Sequence, residues 1–299
     1  MPEVPHISIC ICTCGRPELL ERLLREIAKQ DCGAAFTFAV VVTDNDAAQS
    51  GRAVTERCAA ECGLEVKYTV EPERNIALAR NTAVAHATGE FLVFIDDDEF
   101  PVLGWLRNLF QTCQANGVAG VLGPVKPHFD QPPPQWIVRG KFYDRPTHPT
   151  GFELSWQECR TGNVLLRRRA IDSVEGPFRR EFGTGGEDQD FFQRMIQQGH
   201  RFIWCDEAVA FETVPSARWS RRFMLSRALL RGRNSFRHRK NRRRNLLKSV
   251  LAVPAYALAL PVLLLAGHHH FMKYLVKLAD HTGRLLALVG LNPVHERRM

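Results

Sequence analysis

Three consecutive aspartates, Asp96, Asp97 and Asp98, followed by Glu99, close the apolar run Phe91-Leu-Val-Phe-Ile95. A run of that kind between Gly89 and Pro101 reads as a buried strand, so its acids should emerge together at the C-terminal edge. Open α/β sheets bind their ligands at that edge. Adjacent carboxylates raise one another's pKa unless a cation sits among them. Hard oxygen donors favour Mg²⁺ or Mn²⁺, ions that commonly join a carboxylate or two to the phosphates of a nucleotide. The plain competitor is a solvated acidic turn.

Other acids stand where predicted strands and loops end: Asp44 and Asp46, Glu187 and Asp188, and Glu212. If the first pair and 96–98 lie on neighbouring strands, they share one crevice. A cation that neutralises a departing diphosphate removes the need for a general acid, because such a group already leaves readily. One base is still required: a carboxylate opposite the leaving group that takes the proton of an attacking hydroxyl. Asp188 follows Gly183, Gly185 and Gly186 at a predicted helix start and can hold that place. Its competitor is a helix cap, worth about 1 kcal/mol.

The elements that must position these groups alternate. Ile7 to Cys12 reads as a strand. Leu19, Leu20, Leu23, Leu24 and Ile27 then recur at helical spacing behind Pro17, which is harmless in a first turn. Strands are expected at 36–42, 64–70 and 91–95, and helices at 76–87 and 104–116. This order predicts an α/β fold with a mostly parallel central sheet and helices on both faces. From Pro124 to Phe152 the composition turns to proline, glycine and aromatics, a loop long enough to be functional. Strand character returns at 161–167 and at 202–211, and 217–232 reads as a basic helix.

Residues 249–267 carry no charged side chain, close to the shortest length that spans a bilayer. Pro254 and Pro261 weaken a straight helix there. The basic run Arg237–Arg244 just before it would stay cytoplasmic and attract an anionic membrane surface. Beyond it, Phe271, Leu275, Leu278, Leu285, Leu286 and Val289 fall near one face, with Lys273, Lys277, Asp280 and Arg284 elsewhere, as in an interfacial helix. The plain alternative is a buried helix with a packing partner.

At 299 residues and 45% hydrophobic content the chain can build a large core and is not disordered. Its net charge of +8 is concentrated in 218–248. A nucleic-acid-binding protein would need aromatics among those basic residues, and only Phe236 is suitably placed, so no nucleic-acid partner is expected. Nine cysteines without a Cys-x-x-Cys pair, and no signal peptide, point to a reducing compartment. Cys10, Cys12 and Cys14 should be small packing residues on one strand face, and His268-His269-His270 reads as a polar interfacial turn.

Several ordered motifs resemble those of family 2 glycosyltransferases with the GT-A fold. They are Ile9-Cys-Ile-Cys-Thr-Cys-Gly-Arg-Pro17, the strand ending at Asp44, Ala79-Arg80-Asn81 with Ala87-Thr-Gly-Glu-Phe91, Asp96-x-Asp98, and Gly186-Glu-Asp-Gln-Asp190. Thr161-Gly-Asn163 and Glu212 to Arg218 are most similar to bacterial exopolysaccharide glucosyltransferases. The resemblance covers about 5–235. It implies that Thr13 and Arg16 border the nucleotide, that Asp44 and less directly Asp46 contact uracil or its ribose, and that Arg80 lies near the base or diphosphate. Asp96 and Asp97 would touch ribose or donor sugar, with Asp98, and Asp96 beside it, on Mn²⁺ or Mg²⁺. Asp188 corresponds to the catalytic base, and Glu187, Trp136, Asn163 and Arg218 to the acceptor side. Processive members carry Gln-x-x-Arg-Trp; here Arg218-Trp219 occurs without the glutamine, so single-sugar transfer is expected.

The resulting expectation is a GT-A catalytic domain at 1–235, with a nucleotide half at 1–100 and an acceptor half at 101–235, and a membrane-associated tail at 236–299. The implied activity is inverting transfer of one sugar, glucose, from a UDP-sugar to a polyprenyl-linked oligosaccharide acceptor at the cytoplasmic face of a bacterial inner membrane. A nucleotidyltransferase is the rival that keeps the same crevice, and it would release pyrophosphate instead of a nucleoside diphosphate.

Overall fold

The computed structural model describes residues 4–183, 185–237 and 242–291. They gather into two compact units: one runs to Pro127 and resumes over Arg145–Thr213, the other takes His128–Asp144 and Val214 onward. The composition change at 236 therefore lies inside the second unit.

In the first unit, β1 (His6–Thr13), α1 (Pro17–Ile27), β2 (Thr37–Asp44), α2 (Arg52–Cys62), β3 (Val66–Val70), α3 (Ile76–His86) and β4 (Phe91–Phe94) follow in strict alternation. Next come β5 (Glu99–Pro101), α4 (Trp105–Asn116), β6 (Gly120–Leu122) and β7 (Val125–His128). The short helix α5 (Gln135–Gly140) belongs to the second unit, and β8 (Val164–Arg167), α6 (Arg168–Ile171), α7 (Glu187–Gln197), β9 (Phe202–Trp204) and β10 (Ala210–Thr213) complete the first.

The main sheet has seven strands in the order β3-β2-β1-β4-β8-β6-β9. All neighbours are parallel except β8, which runs against both β4 and β6. Thr13 is level with Asp44, and Cys10 with Phe94, so β1, β2 and β4 end at one edge. Chain order reverses between β1 and β4, the point where such sheets open a ligand crevice. Because β8 is antiparallel, with Phe94 opposite Val164, the turn that enters it stands at the same edge.

Alternation along β1 explains the two cores. Ile7, Ile9 and Ile11 pack with Leu20, Leu23, Leu24 and Ile27 of α1 and Trp105, Leu106 and Leu109 of α4. Cys10, Leu92 and Phe94 pack on the other face with Ala77 and Ala83 of α3 and Phe191, Phe192 and Met195 of α7. Cys10 and Cys12 are packing residues on that second face, as expected, and burial pushes the Cys12 thiol up to about 12; Cys14, past the end of β1, instead donates its thiol to the Asn45 carbonyl at 3.3 Å. The expected strand at 202–211 is two strands: β9 joins the main sheet, while β10 pairs with β5 and β7 in a three-stranded sheet. The 124–152 segment is not wholly irregular, since β7 and α5 form within it.

The second unit adds α8 (Arg221–Arg237), α9 (Arg242–Ala266) and α10 (His268–Leu288). Helix α9 is continuous through Pro254 and Pro261. Within 244–266 an 18-residue stretch reaches a mean hydropathy of 2.2 and is almost wholly unburied, so the helix is long and apolar enough to cross a membrane, in keeping with a membrane-associated tail. Residues 238–241, the middle of the basic run, lie outside the described residues. Asp280 and Arg284, expected on the polar side of α10, instead face α8: Asp280 is buried and pairs with Arg231 at 2.8 Å and Arg284 at 2.5 Å. The basic α8 supplies a cation that lets a carboxylate sit inside, and Gly232 and Gly283 leave no room for a Cβ between the two helices.

Candidate active site

Burial alternates through Ile95, Asp96, Asp97, Asp98 and Glu99, inward at the odd positions and partly open at the even ones. The three aspartates therefore do not point to one place. Asp97 is fully buried: its Oδ2 accepts a hydrogen bond from the Thr13 hydroxyl at 2.8 Å. Arg16, in the turn between β1 and α1, comes within 2.5 Å of Asp97 Oδ1, though not at a hydrogen-bonding angle, and 3.1 Å of Asp98 Oδ2. Burial pushes the Asp97 carboxyl up to about 7, against the pull of Arg16 and Thr13. Thr13 and Asp97 were expected on the nucleotide. They are instead an internal pair that fixes Arg16: the turn between β4 and β5 directs Asp97 inward, onto the Thr13 hydroxyl at the end of β1.

Asp96 and Asp98 are the outward acids. Arg80 is buried on α3, which Asn75 caps by accepting the backbone N–H groups of Ala77 and Leu78. Its guanidinium lies 3.4 Å from Asp96 Oδ1, pairs with Glu187 Oε1, and has the Phe178 ring 5.8 Å away. One buried cation thus ties the end of β4 to the start of α7. Glu187 is buried on Arg80, with burial raising its pKa, and among the described residues its Oε2 has no hydrogen-bond partner.

Asp188 beside it is partly exposed, and its Oδ1 accepts only the adjacent Gln189 N–H, at 2.7 Å. It is no cap, since Gly186 holds that position. Asp190 is the helix charge, bound to Arg194 at 2.9 Å and Arg179 at 3.4 Å.

Asp44 ends β2 fully buried; Oδ2 accepts from Gly51 N–H and the Tyr68 hydroxyl, both at 2.7 Å, and Oδ1 from Asp46 N–H at 3.1 Å. Three of the roughly four lone-pair directions of this carboxylate are thus filled from within the protein. Asp46 is partly exposed, and the Ala48 N–H and then Ser50 hold its pKa below the usual range.

Asn163 is a correction. It is fully buried, its Oδ1 accepts the Trp105 indole N–H at 2.7 Å, and its amide donates to Pro124 O at 3.0 Å and Ala208 O at 2.8 Å. No atom remains for an acceptor, because a left-handed turn (φ 57°) directs the side chain into the protein. Trp136 and Arg218 belong to the second unit. Trp136 packs edge-on against Phe142 and His268, and the Arg218 carbonyl accepts the Tyr143 hydroxyl at 2.7 Å.

Glu99, Arg145 and Arg160 were missed in the sequence. Glu99 is buried on β5 opposite Glu212 on β10, and Arg145 pairs with Glu212. Burial first, then Asp96, holds the Glu99 carboxyl well above its usual range. Its place in the acidic run was the available signal; the arginines lie in loops with none.

Among the described residues no three His, Cys, Asp or Glu side chains gather to hold a metal unaided. Asp96 and Asp98 nonetheless supply hard oxygens at the crevice, enough for an ion of the Mg²⁺ or Mn²⁺ type that takes its other ligands from substrate phosphates and water. The donor set fits such an ion.

The model for glycosyl transferase family 2 matches residues 8–174, and that for the N-terminal domain of galactosyltransferase matches 144–222. The succinoglycan biosynthesis protein ExoM of Rhizobium meliloti is 38% identical over 77% of this chain and 74% of its own. A Campylobacter jejuni GalNAc(5)-diNAcBac-PP-undecaprenol beta-1,3-glucosyltransferase is 27% identical over 40% of this chain and 38% of its own. Among solved structures, Staphylococcus aureus TarS 1-349 in complex with UDP-GlcNAc gives a TM-score of 0.56 at 17% identity, covering 96% of this chain and 93% of that one. The mannosyltransferase PcManGT of Pyrobaculum calidifontis, in complex with GDP-Man and Mn2+, gives 0.65 at 20%, covering 95% and 88%. The structural likenesses establish a GT-A-like fold, and the sequence match, which spans more than half the chain and both edges of the crevice, makes this chain a family 2 glycosyltransferase similar to ExoM.

Proposed function

We propose that the enzyme transfers one glucose from a UDP-sugar, with inversion, to a polyprenyl-linked oligosaccharide during exopolysaccharide synthesis, working at the cytoplasmic face of a bacterial inner membrane. The observation that carries this reading is Arg80, which holds Asp96 at the end of β4 and Glu187 beside Asp188 in one cluster. Relatives named for succinoglycan synthesis and for a PP-undecaprenol acceptor, a neighbour solved with UDP-GlcNAc, and the apolar α9 all support it.

Asp98, with Asp96, would hold the divalent ion, which when bound neutralises charge on the departing diphosphate. Asp188 Oδ2 accepts the proton of the acceptor hydroxyl as that oxygen attacks the anomeric carbon from the face opposite the leaving group. A single displacement of this kind inverts the centre. Glu187 Oε2 remains able to accept from a neighbouring acceptor hydroxyl, while Arg80 holds Glu187 in place beside Asp188. Asp44, at the end of β2, borders the base or ribose, and Arg16 stands over the nucleotide, steadied by Asp97.

The test has two parts. A thermal-shift panel of nucleotides with and without Mn²⁺ should show metal-dependent stabilisation by UDP compounds, which Asp98→Ala largely abolishes. Asp188→Asn should lower turnover by roughly 10²–10⁴-fold while the melting temperature stays within a degree or two of wild type. Normal turnover in that variant, or release of pyrophosphate in place of UDP, would remove the mechanism.

A further inference from the structure

Arg160 opens the turn that enters β8, between buried Cys159 and buried Thr161, and is itself only partly buried. The antiparallel pairing of β8 with β4 brings this turn to the edge where the acids emerge. Two residues on, Gly162 presses so closely on them that a Cβ there would come within 3.1 Å of Asp96 Oδ2 and 2.8 Å of Glu99 Oε1.

The other arginines of the site are committed: Arg16 to Asp97 and Asp98, Arg80 to Asp96 and Glu187, Arg145 to Glu212. Arg160 differs. Among the described residues it takes part in no hydrogen bond or ion pair, although Asp188, Glu99 and Glu212 are near enough to act on it favourably and Arg145 unfavourably. A guanidinium has five N–H donors in a planar fork, and leaving them unspent in a half-buried place beside a second guanidinium is costly. An arginine serving only as a counter-charge would close onto one of those acids. The unfilled fork fits a planar pair of oxyanion oxygens, and a diphosphate offers several.

We infer that Arg160 binds the diphosphate of the nucleotide-sugar donor, giving the leaving group a protein cation that reaches it from the turn entering β8. The inference rests on the donor reading proposed above and assigns it a residue. A diphosphate could also come from the acceptor's lipid linkage, but in an oligosaccharide acceptor that group lies sugars away from the attacking hydroxyl, whereas the donor's is bonded to the anomeric carbon that this hydroxyl attacks.

Binding of UDP and of uridine to the full chain, with Mn²⁺ present, tests it by calorimetry on wild type, Arg160→Gln and Arg160→Lys. Loss of a charge-assisted contact should weaken UDP by about 10- to 100-fold in Arg160→Gln. Arg160→Lys should fall between, and uridine affinity, which reports a folded base pocket, should not move. UDP affinities within twofold of wild type in both variants would overturn the inference. So would unchanged UDP binding with a tenfold higher KM for a lipid-diphosphate acceptor, which would put the contact on the acceptor. If wild type ignores UDP and binds GDP, the donor reading fails separately, and Arg160 is judged by the same comparison of GDP with guanosine.

Discussion

Asp97 separates what a residue's type announces from what its direction decides. Three adjacent aspartates announce a cation, but the inward turn at 97 places a carboxyl where no solvent reaches, and burial holds its pKa at about 7. An unfolded aspartate titrates near 3.9. Between about pH 4 and 7 the folded chain therefore keeps a proton that the unfolded chain has lost, so unfolding releases a proton and stability falls as pH rises through that window. Below it and above it the slope from this group vanishes. Comparing wild type with Asp97→Asn in metal-free buffer isolates the effect: the wild-type unfolding free energy should decline relative to the variant from pH 4 to 7, by as much as about 4 kcal/mol at the top of the range. A constant difference across the window would mean that Arg16 at 2.5 Å keeps Asp97 ionised throughout. At this scale the sequence revealed the chemistry-bearing residues Asp96, Asp98, Arg80 and Asp188. It hid the inward pair Thr13 and Asp97, because a run of acids carries no mark of which way each one points.

The turn before β8 shows how an element can look like a binding motif while acting as a strut. Asn163 there joins β8 to Trp105 of α4 and to the carbonyls of Pro124 and Ala208. Asn163→Ala would leave the Trp105 indole N–H and the Ala208 carbonyl unpaired, the Pro124 carbonyl still accepting from Ala210 N–H, and would put alanine into a left-handed turn that asparagine tolerates better. Urea unfolding should show a loss of about 3–5 kcal/mol, with turnover per folded molecule near wild type. Intact stability with lost turnover would return Asn163 to the acceptor side. Legibility at this scale followed periodicity. Strand β1, helix α1 and strand β4 could be read because their apolar spacing is strong and buried. Helix α2 could not, since only Val54, Thr55 and Cys58 of it are buried. The stretch 202–211 misled because two short apolar strands, each satisfying a different sheet, make one apolar run in sequence.

For the molecule as a whole, α9 is the element whose apolar surface calls for a partner. Leu258, Val262 and Leu265 are 80%, 68% and 90% exposed, an apolar surface that water does not favour along a helix of this length. The second unit packs α10 against α8 through the Asp280 network and leaves α9 presenting leucines outward. That arrangement suits a lipid partner, and residence at the surface that carries a polyprenyl acceptor raises its effective concentration. Leu258→Lys with Val262→Lys would place two charges in the middle of the apolar stretch, each opposing insertion by about 2.5–3.5 kcal/mol. Both side chains are exposed, so folding in detergent should be unaffected. Flotation with anionic vesicles should fall at least tenfold, and transfer to lipid-linked acceptor should drop while hydrolysis of the donor, which needs no membrane, stays the same. Vesicle binding that survives both lysines would show that α9 packs against protein instead, and that any membrane contact runs through the basic segment preceding it.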